Sequence, residues 1–139
     1  MADYKINYGV NEEERTISVV LRDGDGGRYY DCYFILDRYL NNDRPCLSVY
    51  SRSEGLIMRL TTNLPGNGIP FMDAFLDENN CPGVKRFLVG NGFATDRRST
   101  RKSGYCEYPR VHLLLDKIVP YMDGDGRRKW GIPGWNGGC

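Results

Sequence analysis

The residues best suited to chemistry in this 139-residue chain are cationic and crowded into one run, Arg97-Arg98-Ser99-Thr100-Arg101-Lys102, with Phe93 before it and Tyr105 just after. Four cations and two hydroxyls in so short a stretch suit phosphate oxygens, and neighbouring aromatic rings suit the faces of bases. The competing reading is a solvated loop whose like charges keep it extended. A second basic group, Arg127-Arg128-Lys129-Trp130, extends the patch only if the chain folds it back beside the first.

Nucleophilic chemistry has one candidate pair, Cys106 and His112, the latter being the single histidine. A thiolate needs a neighbouring imidazole or cation to form at neutral pH. Six residues of extended chain put the two side chains far outside hydrogen-bond reach, so a dyad requires a sharp turn near Pro109. No catalytic residue is therefore assigned. The five cysteines are widely spaced, with neither a C-x-x-C nor an H-x-x-x-H pair, so no metal site is assigned. The Asp-Gly-Asp-Gly strings at Asp23 and Asp123 read as turns, because a calcium loop needs further oxygen ligands in register. Neither glycine-rich stretch, Gly24 to Gly27 or Gly66-Asn67-Gly68, matches a dinucleotide fingerprint or a phosphate loop, and no cofactor is expected.

The elements that must carry these residues are mostly strands. Thr16 to Arg22 and Tyr29 to Leu36 are rich in β-branched and aromatic residues around a glycine-rich turn, which predicts a hairpin. Leu47 to Arg52 and Leu56 to Thr62 partly alternate apolar with polar residues, with Glu54-Gly55 turning between them. Phe71 to Asp77 reads as a short strand. Asn80 as N-cap, Pro82 in the first turn and Val84, Phe87 and Leu88 at helical spacing predict one helix over 82–89, ended by Gly90-Asn91-Gly92. Residues 95–103 read as a loop, Tyr105 to Tyr108 as extended, and Val111 to Val119 as either extended or a buried helical turn. Residues 123–139, dense in Gly and Pro, read as a tail pinned by Trp130 or Trp135.

The expected fold is thus α+β: a twisted, mainly antiparallel sheet of about five or six strands with one helix on one face, forming a single domain over 1–122. Nineteen basic residues nearly balance eighteen acidic ones, a net charge of +1, so any attraction for nucleic acid must be local. The N-terminal residues show no basic start followed by an apolar run, and no stretch is long and apolar enough to cross a bilayer; a cytoplasmic protein without a membrane partner is expected.

Four segments in order carry a resemblance: Leu60-Thr-Thr-Asn-Leu-Pro, Ala74-Phe-Leu-Asp-Glu-Asn-Asn-Cys-Pro-Gly-Val, the helix with Phe87-Leu88, and Ser103-Gly-Tyr-Cys-Glu-Tyr-Pro. Across roughly residues 28–118 the chain resembles a family of small proteins of unknown function carried by conjugative elements and phages of gut bacteria. It departs from that family at Leu76-Asp77-Glu78, where Val-Asp-Thr is frequent, and at Lys85-Arg86, where acidic residues are common. The resemblance implies an accessory protein of a mobile element and supplies no catalytic residues. The leading expectation is a non-enzymatic protein that binds a protein partner, for instance as an inhibitor of a host defence system of anti-CRISPR or antirestriction type. The alternative is a small RNA- or single-stranded-DNA-binding module using Arg97, Arg98, Arg101, Lys102 and Tyr105.

Overall fold

The computed structural model of the chain describes residues 6–21, 27–39, 42, 44–64 and 69–131. The α+β class holds, but the strands divide between two antiparallel sheets. The first is a meander, β1 (Ile6–Asn11), β2 (Thr16–Leu21), β3 (Arg28–Arg38), β4 (Pro45–Ser51) and β5 (Gly55–Arg59), in that spatial order. The second contains β6 (Thr61–Thr62), β7 (Asp73–Leu76), β8 (Ala94–Ser103) and β9 (Cys106–Leu113) in the order β6-β7-β9-β8. Leu60 joins them: its N–H donates to the Leu47 carbonyl at 2.8 Å, and its own carbonyl accepts from the Asp77 N–H at 2.9 Å.

Alternation along the strands builds the core between the sheets. Ile17 and Val19 on β2, Phe34 and Leu36 on β3, and Leu47 and Val49 on β4 meet Ala74, Leu76, Val111 and Leu113 from the second sheet. Helix α1 (Val84–Gly90) adds Val84, Phe87 and Leu88. Phe87 stacks on Tyr8 at 4.8 Å between ring centroids and meets Phe93 edge-on at 5.9 Å, and Phe93 meets Phe34 at 5.1 Å.

The helix begins later than its sequence suggests. Asn80 does not cap it. Gly83 precedes the first turn at φ 89°, a left-handed conformation that costs glycine nothing, and the Glu78 carboxylate accepts from the Gly83 and Lys85 N–H groups at 3.0 and 2.6 Å. A carboxylate five residues upstream thus does the work expected of a local cap.

The tail reading of 123–139 fails over its first part. Asp123 caps helix α3 (Gly124–Trp130) by accepting the Gly126 N–H at 2.8 Å, which explains the second Asp-Gly-Asp-Gly string. Just before it, Met122 makes a parallel bridge to Phe34. Trp130 is buried and its indole N–H donates to the Leu36 carbonyl at 2.8 Å. Residues 132–139, with Trp135, lie outside the described residues, as does the first Asp-Gly string. The segment after β9 combines the two readings left open by the sequence: strand to Leu113, then α2 (Leu115–Ile118) and a 3-10 turn over Val119–Tyr121. Strand β1, a segment for which the sequence predicts no element, pairs with β2 along its length.

Candidate anion-binding face

Residues 95–103 are not a loop. They form most of β8, the edge strand of the second sheet, paired with β9 from Ala94↔Leu113 to Ser103↔Cys106. The pairing is interrupted once. Asp96 opposes Val111 and Ser99 opposes Arg110, so Arg97 and Arg98 are two extra residues in a bulge. Arg98 sits at φ 59°, and its N–H is held by Asp96 Oδ1 at 2.7 Å. That N–H, then the Lys85 ammonium 3.0 Å away, hold the Asp96 carboxyl below the usual carboxylate range.

The bulge aims Arg97 across the sheet at Asp73, the first residue of β7. Asp73 is wholly buried, and its two oxygens accept from Arg97 Nε and Nη2 at 3.0 to 3.2 Å and from Arg110 Nε at 2.8 Å. His112 Nδ1 lies 2.8 Å from Oδ1. Burial opposes ionisation of Asp73, but the bonds from Arg97, His112 and Arg110 outweigh it and hold the carboxyl below its ordinary range. Strand register accounts for the cluster. Asp73 opposes His112, Phe75 opposes Arg110, and Arg101 opposes Tyr108, so all these side chains share the face turned away from the core.

Phe75 continues that face. It is 2% exposed yet stands apart from the main apolar cluster, covered by the guanidinium of Arg101 at 5.0 Å and that of Arg44 at 5.8 Å from its ring centre. Burial, and then the like charge of Arg101, pull the Arg44 guanidinium below its ordinary range. The outer face of the second sheet therefore holds Arg97 and Arg110 around one buried carboxylate, and Arg101 and Arg44 over the neighbouring Phe75 ring.

The four cations of the basic run do not act as one loop. Arg97 and Arg101 face Asp73 and Phe75, Arg98 stands in the bulge, and Lys102, opposite Glu107, points to the other face. Tyr105 is fully exposed at the hairpin tip, next to Gly104 at φ 63°. The second basic group is engaged elsewhere. Arg127 donates to the Met122 carbonyl at 2.7 Å, Arg128 pairs with Asp125, Lys129 reaches Asp37 at 3.0 Å, and Trp130 sits against β3. The structure does not build it into the arginine face.

Cys106 and His112 do not meet. Strand β9 runs straight through Pro109, the imidazole is bound to Asp73, and Cys106 instead engages Tyr108, whose phenol it pushes upward. Burial raises the Cys32 thiol to about 11 and the Cys81 thiol to about 12, which leaves both as thiols at neutral pH. Sequence reasoning missed Asp73, Phe75, Arg44 and Arg110. The one available signal was Asp73, a lone carboxylate between apolar residues in a segment read as a strand.

The chain is thus an α+β domain of two antiparallel sheets, one of which carries an arginine-lined outer face. It belongs to the family described as Domain of unknown function (DUF4313), whose model matches residues 34–127, from within β3 into α3. No curated protein and no solved structure matches the chain. No helix among the described residues is long and apolar enough to cross a membrane.

Proposed function

We propose that this protein is a binding module without a covalent step, and that the outer face of its second sheet receives a polyanion, single-stranded RNA or DNA. The observation that carries this reading is the placement, on one sheet face, of Arg97 and Arg110 around a buried carboxylate and of Arg101 over the neighbouring Phe75 ring. Ordered guanidinium groups contact phosphates at lower entropic cost than free side chains, and Tyr105 at the hairpin tip offers a ring to a base. The balanced charge of the whole chain supports local rather than global attraction.

The test is fluorescence anisotropy of labelled twelve-nucleotide RNA and DNA at increasing salt. Binding is expected to weaken steeply, with log K falling against log salt at a slope of about −0.7 for each phosphate neutralised. Arg101→Ala and Arg110→Ala are each expected to weaken binding and flatten the slope, whereas Lys102→Ala, on the other face, is expected to change both less. Binding that ignores both salt and these substitutions overturns the reading.

A second observation favours a protein partner. Tyr33, Tyr50 and the exposed Leu56 are successive cross-strand partners on the outer face of the first sheet, with the Arg52 guanidinium 5.4 Å over the Tyr33 ring. Tyrosine, arginine and an exposed aliphatic side chain are the composition of interface centres. In this reading the protein is a cytoplasmic accessory factor of a bacterial mobile element, consistent with the sequence resemblance, and its target belongs to a host defence system. Capture from host lysate distinguishes the two readings. A protein retained after nuclease digestion and lost in Tyr33→Ala supports this one, whereas partners released by nuclease support the first.

A further inference from the structure

His112 is anchored at one nitrogen and open at the other. Nδ1 faces Asp73 Oδ1 at 2.8 Å, and the side chain is one-third exposed (33%). With Asp73 ionised, the neutral imidazole places its proton on Nδ1, which leaves Nε2 as an acceptor. A second proton converts Nε2 into a donor.

Two guanidinium groups share that anchor with the ring. Arg97 spends two of its five N–H groups on Asp73 and Arg110 spends one, so three and four remain. Their side chains are 40% and 26% exposed, and anions can reach them from solvent. Arg97 and Arg110 against Asp73 leave a formal charge of +1, which becomes +2 when the imidazole takes up a proton, so the group favours an anion in either state.

We infer that Arg97, Arg110 and His112 form a seat for one phosphodiester group, that Asp73 is the positioning residue beneath it, and that filling the seat draws a proton onto His112. The inference rests on the nucleic-acid reading for the chain that brings the phosphate, and it assigns the point at which that chain is gripped. The charged groups facing the imidazole are Asp73 on β7, Arg97 on β8 and Arg110 on β9 itself. Arg101 and Arg44 lie further along the face, over Phe75. Asp96 and Lys85 pair with each other. Because Asp73 carries all three donors, its ionisation sets both their geometry and the tautomer that makes the proton uptake necessary.

The single histidine makes the test direct, since its ring signals are the only imidazole resonances in the proton NMR spectrum. The probes are the dinucleotide dTpdT, which has one phosphodiester, and a dT12 oligomer. With dTpdT the His112 signals are expected to shift saturably and the ring to titrate at higher pH than in the free protein. Affinity is expected to be about tenfold tighter at pH 5.5 than at pH 8, because imidazoles change charge between those values. Arg110→Gln and, as a second variant, Arg97→Gln are each expected to abolish the dTpdT response while retaining a folded spectrum. Asp73→Asn is expected to flatten the pH dependence, an outcome that a purely structural role does not produce. If dT12 binds by anisotropy while the His112 signals stay fixed, the seat is overturned and the nucleic-acid reading stands. If neither probe binds, both fall. Binding of dTpdT equal at pH 5.5 and 8 overturns the proton uptake.

Discussion

Strand β7 is buried on both faces, for opposite reasons. Ala74 and Leu76 point inward and are covered by the hydrocarbon of both sheets; Asp73 and Phe75 point outward and are covered by guanidinium groups and an imidazole. The inner face gains from the removal of apolar surface from water, a term that is non-directional and tolerates repacking. The outer face depends on directed bonds to one carboxylate and on cations held over one ring. Its side chains stay partly wet, so it adds less to stability while holding a fixed pattern of donors toward solvent. A core keeps the domain folded; a charged cover of this kind presents chemistry.

The largest effect should come from the inner face. Leu76→Ala is expected to destabilise the domain by about 2–5 kcal/mol in a urea melt, since the side chain is wholly buried where the sheets meet. Asp73→Asn should cost about 1–3 kcal/mol, because Arg97 and Arg110 lose a charged partner but can turn to water. A loss as large as that of Leu76→Ala would make the outer network part of the folding core.

Acidification separates the faces in a second way. The folded carboxyl of Asp73 is held below its unfolded value, so its contribution to stability is present above about pH 4, the ordinary aspartate range, and is lost as pH falls through the folded value. The wild type should therefore lose stability on acidification over that interval, and Asp73→Asn should lose less. Parallel curves would break the assignment of this carboxylate as the outer anchor.

Smaller still, Phe75→Leu should cost about 1 kcal/mol through loss of the ring beneath Arg101 and Arg44. The paired substitution Arg98→Ala with Lys102→Ala, both exposed and off the cluster of Asp73 and Phe75, should leave the thermal midpoint nearly unchanged, within about 0.5 kcal/mol, and should weaken oligonucleotide binding less than Arg101→Ala does. Self-association of the double variant at unchanged stability would instead identify these cations with protection of the β8 edge against pairing with other chains.

Local chemistry made much of the fold legible. The β-branched and aromatic run Thr16 to Arg22 and the alternation on either side of Glu54-Gly55 became β2, β4 and β5, and helical spacing placed Phe87 and Leu88 on the buried side of α1. What escaped was set by distant partners. Residues 95–103 carry too much charge to resemble a strand, yet the backbone bonds of β9 hold them in one. Residues 124–130 look like tail until Asp123 caps them and the Trp130 indole reaches Leu36.

The same division runs through the candidate site. Side-chain type is local, so the sequence by itself determined that Arg97, Arg98, Arg101 and Lys102 are cations in one run, that His112 is the single imidazole, and that Phe71 to Asp77 favours an extended backbone. Direction and proximity are not local. Only the tertiary structure decided that the bulge at Arg97 and Arg98 swings one guanidinium to Asp73 while Lys102 faces away, and that Arg110 and His112 join it from β9. The physical reason is register: a shift of one residue in the pairing of β7 with β9 exchanges the faces, burying Arg110 and His112 toward the core and turning Val111 out to water. No run of residues read alone contains that choice.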